Sequence, residues 1–197
     1  MEFALLGWPP DGPTLRLDYR HFAYAGKFVL GSTGTAVVRD GVRKTGEYDD
    51  HILAAASFDP DRTDADCLAV RYVTVRDDRQ GEGLGAHLLA FVADRAADQG
   101  YNRVRIAVNN PAAYVAAHRA GFAFTGTETG LAELVCERPA GRPADRDADA
   151  YRAGLDRYRA RDLDDEALAR LDEKRAAGLP AVVETPEGAG TDAESGG

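Results

Sequence analysis

Apolar runs separated by glycine turns predict a mixed α/β (α+β) fold, and three stretches carry that prediction. Cys67 to Val75 is long and rich in β-branched residues. Ala86 to Gln99 repeats Leu88, Leu89, Phe91, Val92 and Ala96 on one helical face. Val104-Arg105-Ile106-Ala107-Val108 is a further β run beyond it. A helix stands between the two strands, so they are read as parallel neighbours in one sheet. The first is long enough to be central.

The remaining elements follow in chain order. Residues 1–34 are the least legible: Leu15, Leu17 and Tyr19 alternate, while Tyr19 to Leu30 fits helix and strand alike. Thr35 to Arg39 reads as a strand ending at Asp40-Gly41. His51 to Phe58 is the next, closed by an Asp59-Pro60-Asp61 turn. Gly100 stops the long helix, and Ala112 to Arg119 forms a short helix before Ala120-Gly121. Phe122-Ala123-Phe124 and Leu131 to Glu137 close as a hairpin around Gly126 to Gly130.

Composition changes at Pro139. Residues 139–197 hold fourteen acids and nine bases with few large apolar groups. Tyr151, Leu155 and Tyr158 recur at helical spacing, as do Leu163, Leu168 and Leu171. The expected organisation is a domain over 1–138, an acidic helical appendage over 139–180, and a tail over 181–197 too poor in apolar surface to order itself.

The 197 residues carry a formal charge of −9, and no apolar run approaches the length of a membrane span. With no basic-then-apolar leader after Met1, the expected location is cytoplasmic, away from membranes. The charge leaves no basic stripe for nucleic acid. Cys67 and Cys136 lie in apolar strand-like runs, which favours buried free thiols over a disulfide or redox pair. Without neighbouring histidines they make no zinc site, and no metal is expected.

The chemistry concentrates in Gln80-Gly81-Glu82-Gly83-Leu84-Gly85, between the central strand and the long helix. Three glycines on alternate positions let backbone N–H groups converge on an anion, helped by the positive end of the helix. A dinucleotide fingerprint through Gly81, Gly83 and Ala86 fails. Five residues separate Val75 from Gly81, and the next strand ends in Asn109-Asn110-Pro111 with no ribose-binding carboxylate. A Walker-type loop fails for want of Lys-Ser or Lys-Thr after the glycines. A turn that merely packs helix on strand stays open beside the phosphate reading.

Val73-Thr74-Val75, then Gln80-x-x-Gly83-x-Gly85, resembles the coenzyme A loop of the GNAT-type N-acetyltransferases, whose pattern is Arg or Gln, two residues, Gly, one residue, then Gly or Ala. Asn110-Pro111-Ala112-Ala113 followed by Gly121-Phe122 is similar to that family's second signature, in order and spacing. The resemblance covers roughly residues 35–138. It implies a mixed, mostly antiparallel sheet flanked by helices, with one parallel strand pair splayed apart. It also implies acetyl-CoA as cosubstrate and direct attack by a primary amine, on a small molecule or a protein. The cofactor residues it implies are Val73, Thr74 and Val75, then Gln80, Gly81, Glu82, Gly83, Leu84, Gly85 and Ala86, with Asn110. Backbone groups of Val73 and Val75 would bond the pantetheine as an added strand does. Glu82 must point away from the phosphates, and Arg76 and Arg79 are candidate countercharges.

The family's proton donor, a tyrosine seven residues after the motif asparagine, falls here on Ala117. Tyr114, one turn earlier, is the candidate catalytic acid, with His118 behind it. Candidate bases are Glu47, Asp49, Asp50, His51, Glu128 and Glu133, and Tyr72 shares alternation with Thr74 toward the acceptor side. Ala117 keeps a second reading alive, a coenzyme A-binding sensor or inactive relative. Edge pairing through Leu131 to Glu137 offers a route to a homodimer.

Asp outnumbers Glu by 22 to 11 and Arg outnumbers Lys by 21 to 3. An acidic, lysine-poor surface suits a salt-rich cytoplasm, where screening removes its self-repulsion. The thermal midpoint should therefore rise as KCl goes from low to molar concentration; a midpoint that does not move would rule out the halophilic adaptation.

Overall fold

The computed structural model describes residues 1–41, 46–161 and 163–189. Its strands are β1 (Glu2–Gly7), β2 (Gly34–Arg39), β3 (Ile52–Pro60), β4 (Cys67–Val75), β5 (Arg103–Val108), β6 (Ala123–Glu128), β7 (Leu134–Pro139) and a short β8 (Gly188–Ala189). The helices are α1 (Leu84–Asp98), α2 (Pro111–Arg119), α3 (Ala148–Arg159) and α4 (Asp165–Ala177). One sheet runs β6-β7-β5-β4-β3-β2-β1-β8. The β4–β5 pair is parallel, as is the short β1–β8 pair, and the other neighbours are antiparallel.

The expected Asp59-Pro60-Asp61 turn starts later than its residues suggest. β3 runs on through Pro60, opposite Leu68, at a strand end where proline's missing N–H costs little. Residues 8–33 are neither of the two regular elements they resemble. Apart from a 3₁₀ turn at Ala25–Lys27 they wander, and Leu15, Leu17, Phe22, Ala25 and Phe28 tuck under the sheet against Val37, Ile52 and Ala55. Anchors spaced by a looping backbone show no single period, which is why this stretch resisted reading.

The other face carries the main core. α1 is alanine-rich and buried along most of its length, so it lies close on the strands through Leu84, Leu88, Leu89, Phe91 and Val92. Gly100, at φ +85, ends it: Gly100 N–H bonds the Ala97 carbonyl and Tyr101 N–H bonds that of Ala96.

The segment expected as an appendage belongs to this same core. α3 starts at Asp147, whose carboxylate accepts from Ala150 N–H at 2.7 Å. Its Tyr151, Leu155 and Tyr158 form one buried cluster with Tyr114, Phe122 and Leu134. Tyr158 donates its hydroxyl to the Val108 carbonyl at 2.9 Å, and Tyr114 donates to the Tyr151 carbonyl at 3.2 Å. α4 is mostly exposed, burying Leu171 and joining α3 through Arg175–Asp156 and Arg159–Asp172 ion pairs. Of the segment expected as a tail, residues 188–189 pair with β1; residues 190–197 lie outside the described residues.

Gly154 is where α3 meets α2. A Cβ there would stand 2.0 Å from the Tyr114 hydroxyl. Gly154→Ala should therefore cost about 1–3 kcal/mol of stability through overpacking, despite alanine's better helix propensity. Denaturant titration checks this; a stabilised variant would mean that α3 does not dock as described.

Candidate functional site

The sheet parts where the parallel pair ends. β4 and β5 are in register from Cys67 opposite Arg103 to Val70 opposite Ile106, and no further. Beyond Ile106, β5 continues with β7, while β4 continues with β3 alone. A bulge at Arg71 accompanies the parting: Phe58 faces Val70 but Ser57 faces Tyr72. The extra residue switches which side chains face α1, from Leu68 and Val70 to Val73 and Val75, and turns Tyr72 to the opposite cluster. Along Val73 to Val75 one edge of β4 is left without a neighbouring strand. Thr74 is 4% exposed, and its hydroxyl has no hydrogen-bond partner among the described residues.

The glycine turn sits at the end of that edge. Gly81 and Gly83 have φ of +86 and +82, the left-handed region that favours glycine. Gly83 is the N-cap of α1, and no side chain caps the helix there. Its first N–H groups, on Leu84, Gly85 and Ala86, are thus open to an anion. At Gly85 the helix rests on the strand at ordinary contact distance, a Cβ there standing 3.5 Å from Val75 and 3.8 Å from Val73. Gln80 turns away and donates to Asp77 at 3.0 Å.

The countercharge differs from expectation. Arg79 forms a two-pronged bridge to Glu82 at 2.7 and 2.8 Å, and Arg76 pairs with Asp78. Each arginine holds its carboxyl partner below the usual range through these hydrogen bonds. Glu82 is thereby drawn toward Arg79, and neither arginine is spare. The cation at the turn is Arg119, from the last turn of α2: its Nη2 lies 3.3 Å from where a Cβ on Gly83 would stand. Sequence reasoning missed it. Its only signal was position, two residues before Gly121 on the short helix.

Asn110 caps α2, its side-chain oxygen accepting from Ala113 N–H at 2.9 Å. Tyr114 does not reach the parting. It is fully buried, stacked on Tyr151 and edge-on to Phe124 and Tyr158, and its hydroxyl is committed to the Tyr151 carbonyl. Burial pushes its phenol well above the ordinary range, the opposite of what a proton donor at neutral pH needs. Ala117 is buried too. His118 is 1% exposed and packs against Tyr114 and Tyr151, and neither ring nitrogen has a hydrogen-bond partner among the described residues.

Three of the candidate bases, Asp49, Asp50 and Glu133, line two clefts. Asp49 and Asp50 share one of about 420 Å³ with Asp18, Arg76 and Asp78. Asp49 is buried and accepts from Arg16 N–H at 2.8 Å, so it holds the 8–33 connection in place. Glu47 is exposed and His51 half-buried. Glu133 lies in a groove of about 640 Å³ on the sheet face away from α1, with Ala69, Arg71 and Ala107 near the parting. Its carboxylate accepts from the Thr129 hydroxyl at 3.1 Å, whereas Glu128 is paired with Arg157.

A family model, Acetyltransferase (GNAT) family, matches residues 8–122. This chain belongs to the GNAT acetyltransferase family. Among solved structures, yncA from Salmonella typhimurium, determined with its cofactor acetyl-CoA, is 22% identical over 59% of this chain and 69% of that one, with a TM-score of 0.45. An N-acetyltransferase from Kribbella flavida is 21% identical over 54% and 67%, with a TM-score of 0.45. Nourseothricin acetyltransferase is 16% identical over 70% and 97%, with a TM-score of 0.45. No curated protein matches. The parted β4–β5 pair and the glycine turn fall inside the matched GNAT span, whereas α3 and α4 lie beyond it.

Within this GNAT fold, His118 makes the docking of α3 on α2 sensitive to acid. Burial, helped by the positive charge of Arg146, pushes its pKa down from 6.5 to about 4. The folded state holds it neutral, so its contribution is intact above pH 6.5 and is lost as pH falls toward 4. The loss amounts to at most about 3 kcal/mol. His118→Phe should flatten the acid limb of the stability–pH curve between those values, as read by urea unfolding at several pH values.

Proposed function

We propose that this protein is an acetyl-CoA-dependent N-acetyltransferase acting on a primary amine. The observation that carries the reading is the unpaired edge of β4 beside an uncapped, glycine-lined helix N-terminus. Acetyl-CoA supplies an acetyl group activated as a thioester, which the amine nitrogen takes up directly. The residues present suit it. The backbone of Val73 to Val75 offers strand-like hydrogen bonds to an extended amide chain. The turn from Gln80 to Ala86, with Arg119 beside Gly83, offers N–H groups and one cation to a diphosphate. A side chain at position 83 would fill that cradle.

The acceptor amine approaches in the groove on the other face of the sheet. Glu133 is the candidate base that lines it with no arginine partner among the described residues. An amine reaching the parting is charged at neutral pH, and a carboxylate there takes its proton, directly or through water. A backbone N–H near Val73 to Val75 polarises the carbonyl. The side chains that correspond to a proton donor are Ala117 and the inward-facing Tyr114, so the departing thiolate leaves without a positioned phenol. That same feature favours a second reading, a coenzyme A-binding sensor without turnover; released thiol on a panel of amines separates the two.

Gly83→Val should abolish measurable acetyl-CoA binding by calorimetry, because a β-branched residue resists φ +82 and its side chain meets Arg119. Glu133→Gln should lower kcat about 10- to 100-fold with binding intact. Tyr114→Phe should leave kcat unchanged and cost about 1 kcal/mol of stability. A large kcat loss in the last variant would return Tyr114 to the mechanism.

A further inference from the structure

Beyond α4 the chain turns back across the cofactor end of the molecule. Arg146 Nη1 donates at 2.8 Å to the Pro180 carbonyl and at 2.8 Å to that of His118, fixing the start of this segment to the end of α2. Val183 N–H donates to the Arg119 carbonyl at 2.8 Å. Gly188 and Ala189 then pair with Phe3 and Ala4 of β1. Gly188 lies so close to Phe91 of α1 that a Cβ would stand 2.2 Å from its ring. α2 and β1 are therefore bridged by one strap, residues 178–189. Between its two anchors it passes the first turn of α1: Glu184 and Glu187 border a cleft of about 500 Å³ together with Glu82, Leu84 and His87.

This placement sets charge against charge. The uncapped N-terminus of α1 attracts anions. Glu184 and Glu187 are tethered beside it, and Arg119, the cation at Gly83, is also the residue whose carbonyl holds the strap. We infer that the strap is a built-in competitor for the phosphate end of the cofactor site, so that coenzyme A binds by displacing residues 183–187. The inference rests on the coenzyme A reading of the glycine turn. Phosphates entering there meet two carboxylates of their own sign. Their repulsion is modest because both side chains are exposed, and it is screened by salt.

Calorimetric titration of the full chain and of the Glu184→Gln, Glu187→Gln double variant, with coenzyme A and with 3′-dephospho-coenzyme A, tests the competition. The double variant should bind coenzyme A about fivefold tighter, gain less for the dephospho form, and lose its advantage in about 1 M KCl. Val183→Pro, which removes the N–H bonded to Arg119, should also tighten binding. Hydrogen exchange at Val183 should quicken when coenzyme A saturates the wild-type chain. Affinity unmoved in both variants, or exchange that slows on binding, overturns the strap's role alone. Failure of every form to bind coenzyme A overturns the cofactor assignment, and the strap's role with it.

Discussion

Everything about the site follows from the early end of one strand pairing. Parallel strands bond through slanted, evenly spaced hydrogen bonds, and a pair that stops after four residues leaves peptide groups pointing at nothing. Here the bulge at Arg71 turns β4 away from β5, and β7 takes β5 with it. The unpaired peptide edge runs along Val73 to Val75. The glycine turn is placed by the same event, for β4 delivers the chain to Gly81 at the mouth of the gap. The first turn of α1 packs at Gly85 against Val73 and Val75, so the uncapped end of the helix and the unpaired edge lie side by side.

The central part of this arrangement was legible because each residue there answers to a single local requirement. β-Branched runs need a pleated surface, alternate glycines need positive φ, and Asn110 before Pro111 needs a helix to cap. Those stretches fell within two residues of where the structure has them. The connection 8–33 was illegible for the opposite reason: its apolar residues are anchors for a sheet face and carry no period of their own. The Arg71 bulge left no mark that a single sequence reveals, since Arg71 and Tyr72 continue a plausible strand.

Side-chain roles were harder to read than backbone ones. The arginines nearest the turn in sequence are bound to its own carboxylates, while Arg119 arrives from another helix. Tyr114 looked available because a helical wheel specifies a face without saying what covers it. α3 covers it, and the polarity of α3 hides that role in the sequence. Tyr151, Leu155 and Tyr158 are buried in the core, and the charged residues of both signs on the rest of the helix mask them in the sequence.

The docking of α3 also bears on how the chain is made. Tyr158 satisfies the carbonyl of Val108, the last residue of β5, and Tyr151 roofs Tyr114. Residues 8–122, which alone carry the family signature, thus emerge from the ribosome with the far side of α2 uncovered and a strand-end carbonyl unmet. Domains generally assemble as units, in step with synthesis. Tyr158 lies 36 residues past the matched span, so that apolar flank of α2 stays open until the C-terminal part of the chain has been made.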